Sequence, residues 1–206
     1  DYLLSEVQAM ESANGNGDIM ARLFAQETEK GLRLLDVLGR SYDAVVMNPP
    51  YGSPTTGSYD ATKAEFSLSS GEIYIAFMER GFRLADHYVG SLTSRTFMYL
   101  PRYKNLRQHL VGGQRSPVTV LDLGLGILDD ATVETAAHVI SPSGCSARDC
   151  GVDFFRLIAE ASREGDFRQT LTSGRPGASV RYRMLLRSLS EMPGHVFAYW
   201  VPPSLA

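Results

Sequence analysis

The feature that most constrains this chain is a short run, Tyr42-Asp43-Ala44-Val45-Val46-Met47, that stops at Asn48-Pro49-Pro50-Tyr51-Gly52. Its length and its adjacent valines predict a buried strand over 42–47. Neither proline has an amide hydrogen to give a ladder, so the strand has to end there. The flanking pattern predicts helices over 2–13 and 18–38, the second with Leu23, Phe24, Leu34, Leu35 and Leu38 on an apolar face and Gly39 as its stop. Residues 52–71 are rich in Gly, Ser and Thr and read as a long surface loop, pinned by Tyr59 and Phe66. Beyond it the pattern predicts a helix over 72–86, a strand over 87–93 and a helix over 102–111 ended by Gly112-Gly113. Strands follow over 118–123 and 135–140, and one more helix over 153–162. Strands alternating with helices predict an α/β fold, a sheet with flanking helices.

Composition excludes more than it selects. The 206 residues carry a net charge of −3, with 44% apolar and 21% charged residues. That is ordinary globular usage and not a strongly basic module, so any nucleic-acid contact has to come from local charge. Lys and Arg do cluster: Arg95, Arg102, Lys104, Arg107 and Arg115 occur with no acid between them, as do Arg168, Arg175, Arg181, Arg183 and Arg187. Each cluster reads either as a phosphate-contacting patch or as a solvated basic face. Cys145 and Cys150 lack a nearby histidine pair, so no metal site is expected, and they read as two free thiols in a reducing cytoplasm. No apolar run is long enough to span a membrane. His138, in an apolar run, reads as a satisfied core residue, and no histidine has a catalytic partner in sequence. The chain begins at Asp1 without an initiator Met, which reads as a piece of a longer protein.

Asn48-Pro49-Pro50-Tyr51 puts an amide, two rigid residues and an aromatic ring at the carboxyl end of a strand, where open α/β sheets bind ligands. Such a set suits methyl transfer to an aromatic amine. The amine's lone pair is delocalised into its ring, and two acceptors on its hydrogens draw it towards tetrahedral geometry. The Asn48 side-chain oxygen and the Pro49 carbonyl are the two acceptors, and proline's fixed φ holds the second in place. Tyr51 offers a face on which an extruded base stacks, worth about 1–3 kcal/mol. A base within a duplex cannot reach such a site unless it is flipped out. Asn48, Pro49 and Tyr51 are therefore expected to line one concave site.

This tetrapeptide resembles the catalytic motif of S-adenosylmethionine-dependent amino methyltransferases, and with Tyr in last place it is most similar to the adenine-specific DNA enzymes. Glu72-Ile73-Tyr74-Ile75-Ala76-Phe77-Met78 resembles the helix after the catalytic loop in large restriction-modification methyltransferases. Residues 90–100 with 106–110, and then 118–140, are similar to later strands and a helix of those enzymes. Met192-Pro193-Gly194 and Ala198-Tyr199-Trp200-Val201 resemble a segment after the catalytic domain in methyltransferases of BREX phage-defence systems. The resemblance implies a truncated Rossmann-like methyltransferase sheet. It also implies methylation of the 6-amino group of a flipped adenine within a restriction-modification or phage-defence system. Implied partners are double-stranded DNA and other subunits of the defence system, in the cytoplasm. The implied site is Asn48, Pro49, Pro50 and Tyr51 for catalysis, Asn48 and Gly52 for the cofactor, and Arg95, Arg102, Lys104 and Arg107 for DNA.

The same family grips its cofactor, S-adenosylmethionine, with a glycine-rich turn after the first strand. Only 47 residues precede Asn48, and Asn14-Gly15-Asn16-Gly17 follows no apolar strand. The main cofactor segment is thus expected outside this chain, and the chain alone is expected to be inactive. Val120-Leu121-Asp122-Leu123-Gly124-Leu125-Gly126 resembles that turn and would make a permuted site. Against this, the residues after Gly126 lead to another strand and not to a helix N-terminus facing a ligand. The expected organisation is residues 1–145 as the C-terminal part of the catalytic domain and 146–206 as a linker or the start of a target-recognition region. Two other readings stay open: an amino methyltransferase acting on RNA or on protein glutamine, and a non-catalytic remnant that binds DNA or a partner.

Overall fold

The computed structural model describes residues 19–69, 71–113, 115–128, 132–141, 150–158, 163–173 and 180–201. The expected helix over 2–13, Asn14 to Gly17 and Arg175 lie outside them. The chain forms two compact units, 1–41 and 42–206. In the first, α1 (Ile19–Gly39) ends at the glycine expected to stop it. Its apolar face is exposed, with Phe24 and Leu35 among the most open residues.

The second unit is a six-stranded mixed sheet with helices. Its elements are β1 (Tyr42–Met47), α2 (Tyr59–Glu65), α3 (Ile73–Leu84), β2 (Ala85–Ser94), α4 (Lys104–Val111), β3 (Ser116–Gly124), β4 (Thr135–Ser141), β5 (Gly151–Arg156), α5 (Arg163–Ser173), β6 (Arg181–Leu185) and α6 (Leu186–Glu191). The strand order is β1-β2-β4-β3-β5-β6. β1 runs parallel to β2, with Met47 opposite Ser91, while β2–β4 and β3–β4 are antiparallel. A parallel pair needs a long crossover, and α3 supplies it. Its inward residues Tyr74, Ile75, Met78 and Phe82 recur at helical spacing and are buried. Gly81 lets the helix lie close on the sheet: a Cβ there would come within 2.4 Å of the Met47 side chain and 3.3 Å of Val89. The strand that carries the motif is thereby fixed from one face.

Three expectations are corrected. The helix expected over 153–162 is not formed by its described residues, 153–158, and the rest lie outside the described set. Gly151–Arg156 forms β5, parallel to β3 and antiparallel to β6, and the next helix begins at Arg163. The 52–71 loop contains the short helix α2, none of whose residues is buried. Cys150 is disulfide-bonded and not a free thiol, and residues 142–149 lie outside the described set. In addition, residue 145 marks no boundary in the sheet, because β5 and β6 continue it. The last segment returns to the core, with Phe197 and Tyr199 buried there.

His138 is a core residue, but it is not satisfied. It lies on the inward face of β4, opposite Ser91 of β2 and Val120 of β3. Among the described residues neither ring nitrogen has a hydrogen-bond partner, and the Ser91 hydroxyl has none either. Burial pushes its pKa down from 6.5 to about 4. The folded chain keeps it neutral where the unfolded chain protonates it. Its effect on stability is therefore nil above pH 6.5 and grows unfavourable as pH falls towards about 4. Within that window the slope is about 1.4 kcal/mol per pH unit. His138→Leu is expected to flatten the loss of urea stability across this range. Parallel pH profiles for the two proteins would exclude the assignment.

Candidate active site

The chain leaves the sheet at Met47, at the carboxyl end of β1 and beside its parallel neighbour β2. Asn48 is exposed, and its side chain makes no hydrogen bond with the described residues. Pro49 is buried and Pro50 exposed. Tyr51 is half-buried, and its hydroxyl is the buried end, without a hydrogen-bond partner. Burial pushes that phenol's pKa up. What Tyr51 leaves open is therefore its ring or backbone and not its hydroxyl. Gly52 has φ +105°, a left-handed conformation that favours glycine. A Cβ there would meet nothing within 4 Å, so the conformation and not crowding asks for glycine. The Gly52 carbonyl accepts a hydrogen bond from the Ile73 amide at 2.9 Å, which ties the loop to the first turn of α3.

A cavity of about 450 Å³ opens between the 52–71 loop and α3. Pro54, Phe66, Ile73, Ala76, Phe77 and Arg80 are among its walls, and Phe77 is 47% exposed. None of Asn48, Pro49 and Tyr51 lines it. This cavity is therefore not the concave site expected at the motif, and its wall residue Ile73 bonds to Gly52 of the motif loop.

The four cations expected to meet DNA have different surroundings. Arg102 is exposed and pairs with Glu72 at 3.0 Å, with its guanidinium 4.8 Å from the centre of the Tyr103 ring. Glu72 directly precedes Ile73, so Arg102 stands on the rim of the motif loop. Lys104 is exposed at the start of α4. Arg95 is largely buried against Asp122 at 3.1 Å and Glu134 at 3.3 Å. Arg107 is 1% exposed and donates to the carbonyls of Phe97 and Leu100 at 2.8 Å each and of Gly194 at 3.0 Å. Its charge is spent inside the fold, which removes it from the surface set. In the second cluster, Arg168 pairs with Glu164, and Arg181 and Arg183 both pair with Asp153. For Arg168 the acid is a neighbour on the same helix, and for Arg181 and Arg183 it comes from the adjacent strand.

Gly124 and Gly126 lie in the connection of an antiparallel pair, with Gly124 opposite Thr135. They do not open a helix, so the permuted cofactor turn is not formed. Asp122 of the same segment is buried, and it accepts from Tyr199 Oη at 2.7 Å as well as from Arg95. Sequence reasoning missed Asp122 and Tyr74. An acid at an inward-facing position of an alternating strand was the trace that Asp122 left.

The family model for the Eco57I restriction-modification methylase matches residues 8–121, more than half of the chain. Over 201 residues the chain is 26% identical to the adenine-specific methyltransferase BrxX of Escherichia coli O9:H4 (strain HS), a match covering 89% of this chain and 15% of that protein. The chain thus spans a small part of its curated relative's length. Among solved structures, a component of a type I restriction-modification system superposes with a TM-score of 0.60 at 12% identity, covering 81% of this chain and 38% of the other. The ATP-dependent type ISP restriction-modification enzyme LlaBIII, solved bound to DNA, superposes at 0.54 with 15% identity, covering 85% of this chain and 14% of the other. At these identities the likeness to the two structures is one of fold.

Proposed function

The chain belongs to the Eco57I restriction-modification methylase family, and on that premise we propose that its full-length gene product methylates the 6-amino group of an adenine flipped out of double-stranded DNA. The observation that carries this is Asn48: an exposed amide, bonded to none of the described residues, at the carboxyl end of a strand and next to two prolines. The relative named as an adenine-specific methyltransferase supports the choice of acceptor, and the DNA-bound neighbour supports the choice of polymer.

In this reading Asn48 Oδ1 and the Pro49 carbonyl each accept one hydrogen of the amine. The ring of Pro49 limits the backbone at the second acceptor, and both bonds strengthen as positive charge develops on the nitrogen. Tyr51 stacks the base, a role that suits a side chain whose hydroxyl is turned inward. S-adenosylmethionine supplies the methyl group when bound. Of the residues here, Ile73 and Phe77 in the cavity wall would offer apolar faces to its purine ring, and Asn48 and Gly52 would be the motif residues that hold it. The glycine-rich turn that would grip the rest is not among the described residues. Arg102 and Lys104 meet phosphates near the extruded base, Arg102 by exchanging its partner Glu72. Other subunits of a restriction-modification or phage-defence assembly are the implied protein partners.

The test is a methylation assay of the full-length gene product with S-adenosylmethionine and DNA, RNA or total protein as acceptor, followed by sequencing of the modified DNA. N6-methyladenine at one recurring DNA site is the expected result. Label confined to RNA or to glutamine, or no label with any acceptor, would overturn the reading.

A further inference from the structure

Stacking a flipped base demands more than an aromatic ring: the ring has to hold one angle. Tyr51 sits on a loop, and a loop alone does not supply that. Its ring rests on Tyr74, with centroids 6.2 Å apart and planes at 45°. Tyr74 in turn meets the Tyr103 ring edge-on at 5.9 Å. Tyr74 and Tyr103 are 2% and 0% exposed, so neither can turn without disturbing the core. They come from different elements: Tyr74 from α3 and Tyr103 from the 3-10 turn ahead of α4. A row of three rings therefore runs from the core out to the loop. All three hydroxyls are buried, and that of Tyr74 lies beside those of Tyr103 and Thr96. Contact between the rings themselves is what joins Tyr51 to the other two.

We propose that Tyr74, backed by Tyr103, is a positioning residue that sets the angle of the Tyr51 ring for base stacking. The proposal rests on the reading of Tyr51 given above. Two consequences separate the ring from its hydroxyl. Tyr74→Phe keeps the flat surface and should keep function. Tyr74→Leu keeps bulk but offers no face, so Tyr51 gains freedom to tilt.

The experiment uses the full-length gene product and duplex DNA with 2-aminopurine at the target adenine, whose fluorescence rises on extrusion. Single-turnover methylation, DNA Kd and Tm are measured in parallel. Tyr74→Leu is expected to lower the single-turnover rate roughly 10- to 100-fold, to reduce the fluorescence change and to leave Kd unchanged. Tyr74→Phe is expected to restore both rate and fluorescence. In a Tyr51→Ala background, Tyr74→Leu should add almost nothing, because the ring it positions is gone. Tyr103→Leu, one ring further back, should give the same pattern more weakly, and it decides the matter if Tyr74→Leu does not fold. A full loss from Tyr74→Leu on top of Tyr51→Ala would make Tyr74 merely structural and overturn the positioning role alone. A Tyr51→Ala protein whose extrusion signal and rate match the wild type would overturn the stacking platform itself, and the proposal with it.

Discussion

Asn48→Ala in the full-length gene product is expected to lower single-turnover methylation about 100- to 1000-fold while DNA affinity stays nearly unchanged. The amide is exposed and makes no bond with the described residues, so its removal should not disturb the fold. Its hydrogen bond to the amine strengthens as the nitrogen becomes tetrahedral, and the loss therefore falls on the transition state and not on binding. Tyr51→Ala should differ by weakening base capture as well as rate. Tyr51→Phe should be mild, because the hydroxyl it removes is buried without a partner. Wild-type turnover in Asn48→Ala would remove Asn48 as the activating group. Equal damage from Tyr51→Phe and Tyr51→Ala would replace stacking with a role for the hydroxyl.

The largest effect on stability is expected from Arg107→Met. The guanidinium gathers three carbonyls, those of Phe97, Leu100 and Gly194, at a position 1% exposed. Methionine preserves much of the stem but leaves all three acceptors unpaired in the interior. At about 1–3 kcal/mol for each unpaired acceptor the loss should be about 3–5 kcal/mol once partial relaxation is allowed, a large share of the roughly 5–15 kcal/mol that a domain has in total. Tm should fall by roughly 6–20 °C. Arg107→Lys should fall between the two, since one ammonium cannot reproduce the planar fork. A Tm shift of less than about 2 °C for Arg107→Met would show that water or backbone movement satisfies the carbonyls.

The motif strand was legible because two independent rules agree there: the apolar run gives a strand and the prolines give its end. The crossover helix was legible as an amphipathic run carrying Ile73, Phe77, Phe82, Leu84 and Ala85, but its inward face is set by Tyr74, Ile75, Met78 and Phe82, while Phe77 is exposed. Arg107 was misread because a surface and a buried arginine look alike in sequence, and only the fold shows that a carbonyl 87 residues away uses one of its donors. β5 was misread for a related reason. Asp153 makes its run look amphipathic, yet that acid answers Arg181 and Arg183 across the sheet. The short α2 buries nothing, so no apolar period announced it. His138 was placed correctly in the core, but no sequence rule could say that its ring would find no partner.

The buried acid of β3 has a bearing on how such genes can recombine. Asp122 is held by a hydroxyl 77 residues later in the chain, and Arg107 by the Gly194 carbonyl. A crossover that exchanged everything after residue 145 would take from Asp122 its hydroxyl donor, leaving it Arg95 alone, and leave Arg107 short of an acceptor. The unit that can be inherited intact therefore extends past Tyr199, and a new recognition module grafted by recombination has to be joined beyond that tyrosine to leave the catalytic sheet undamaged.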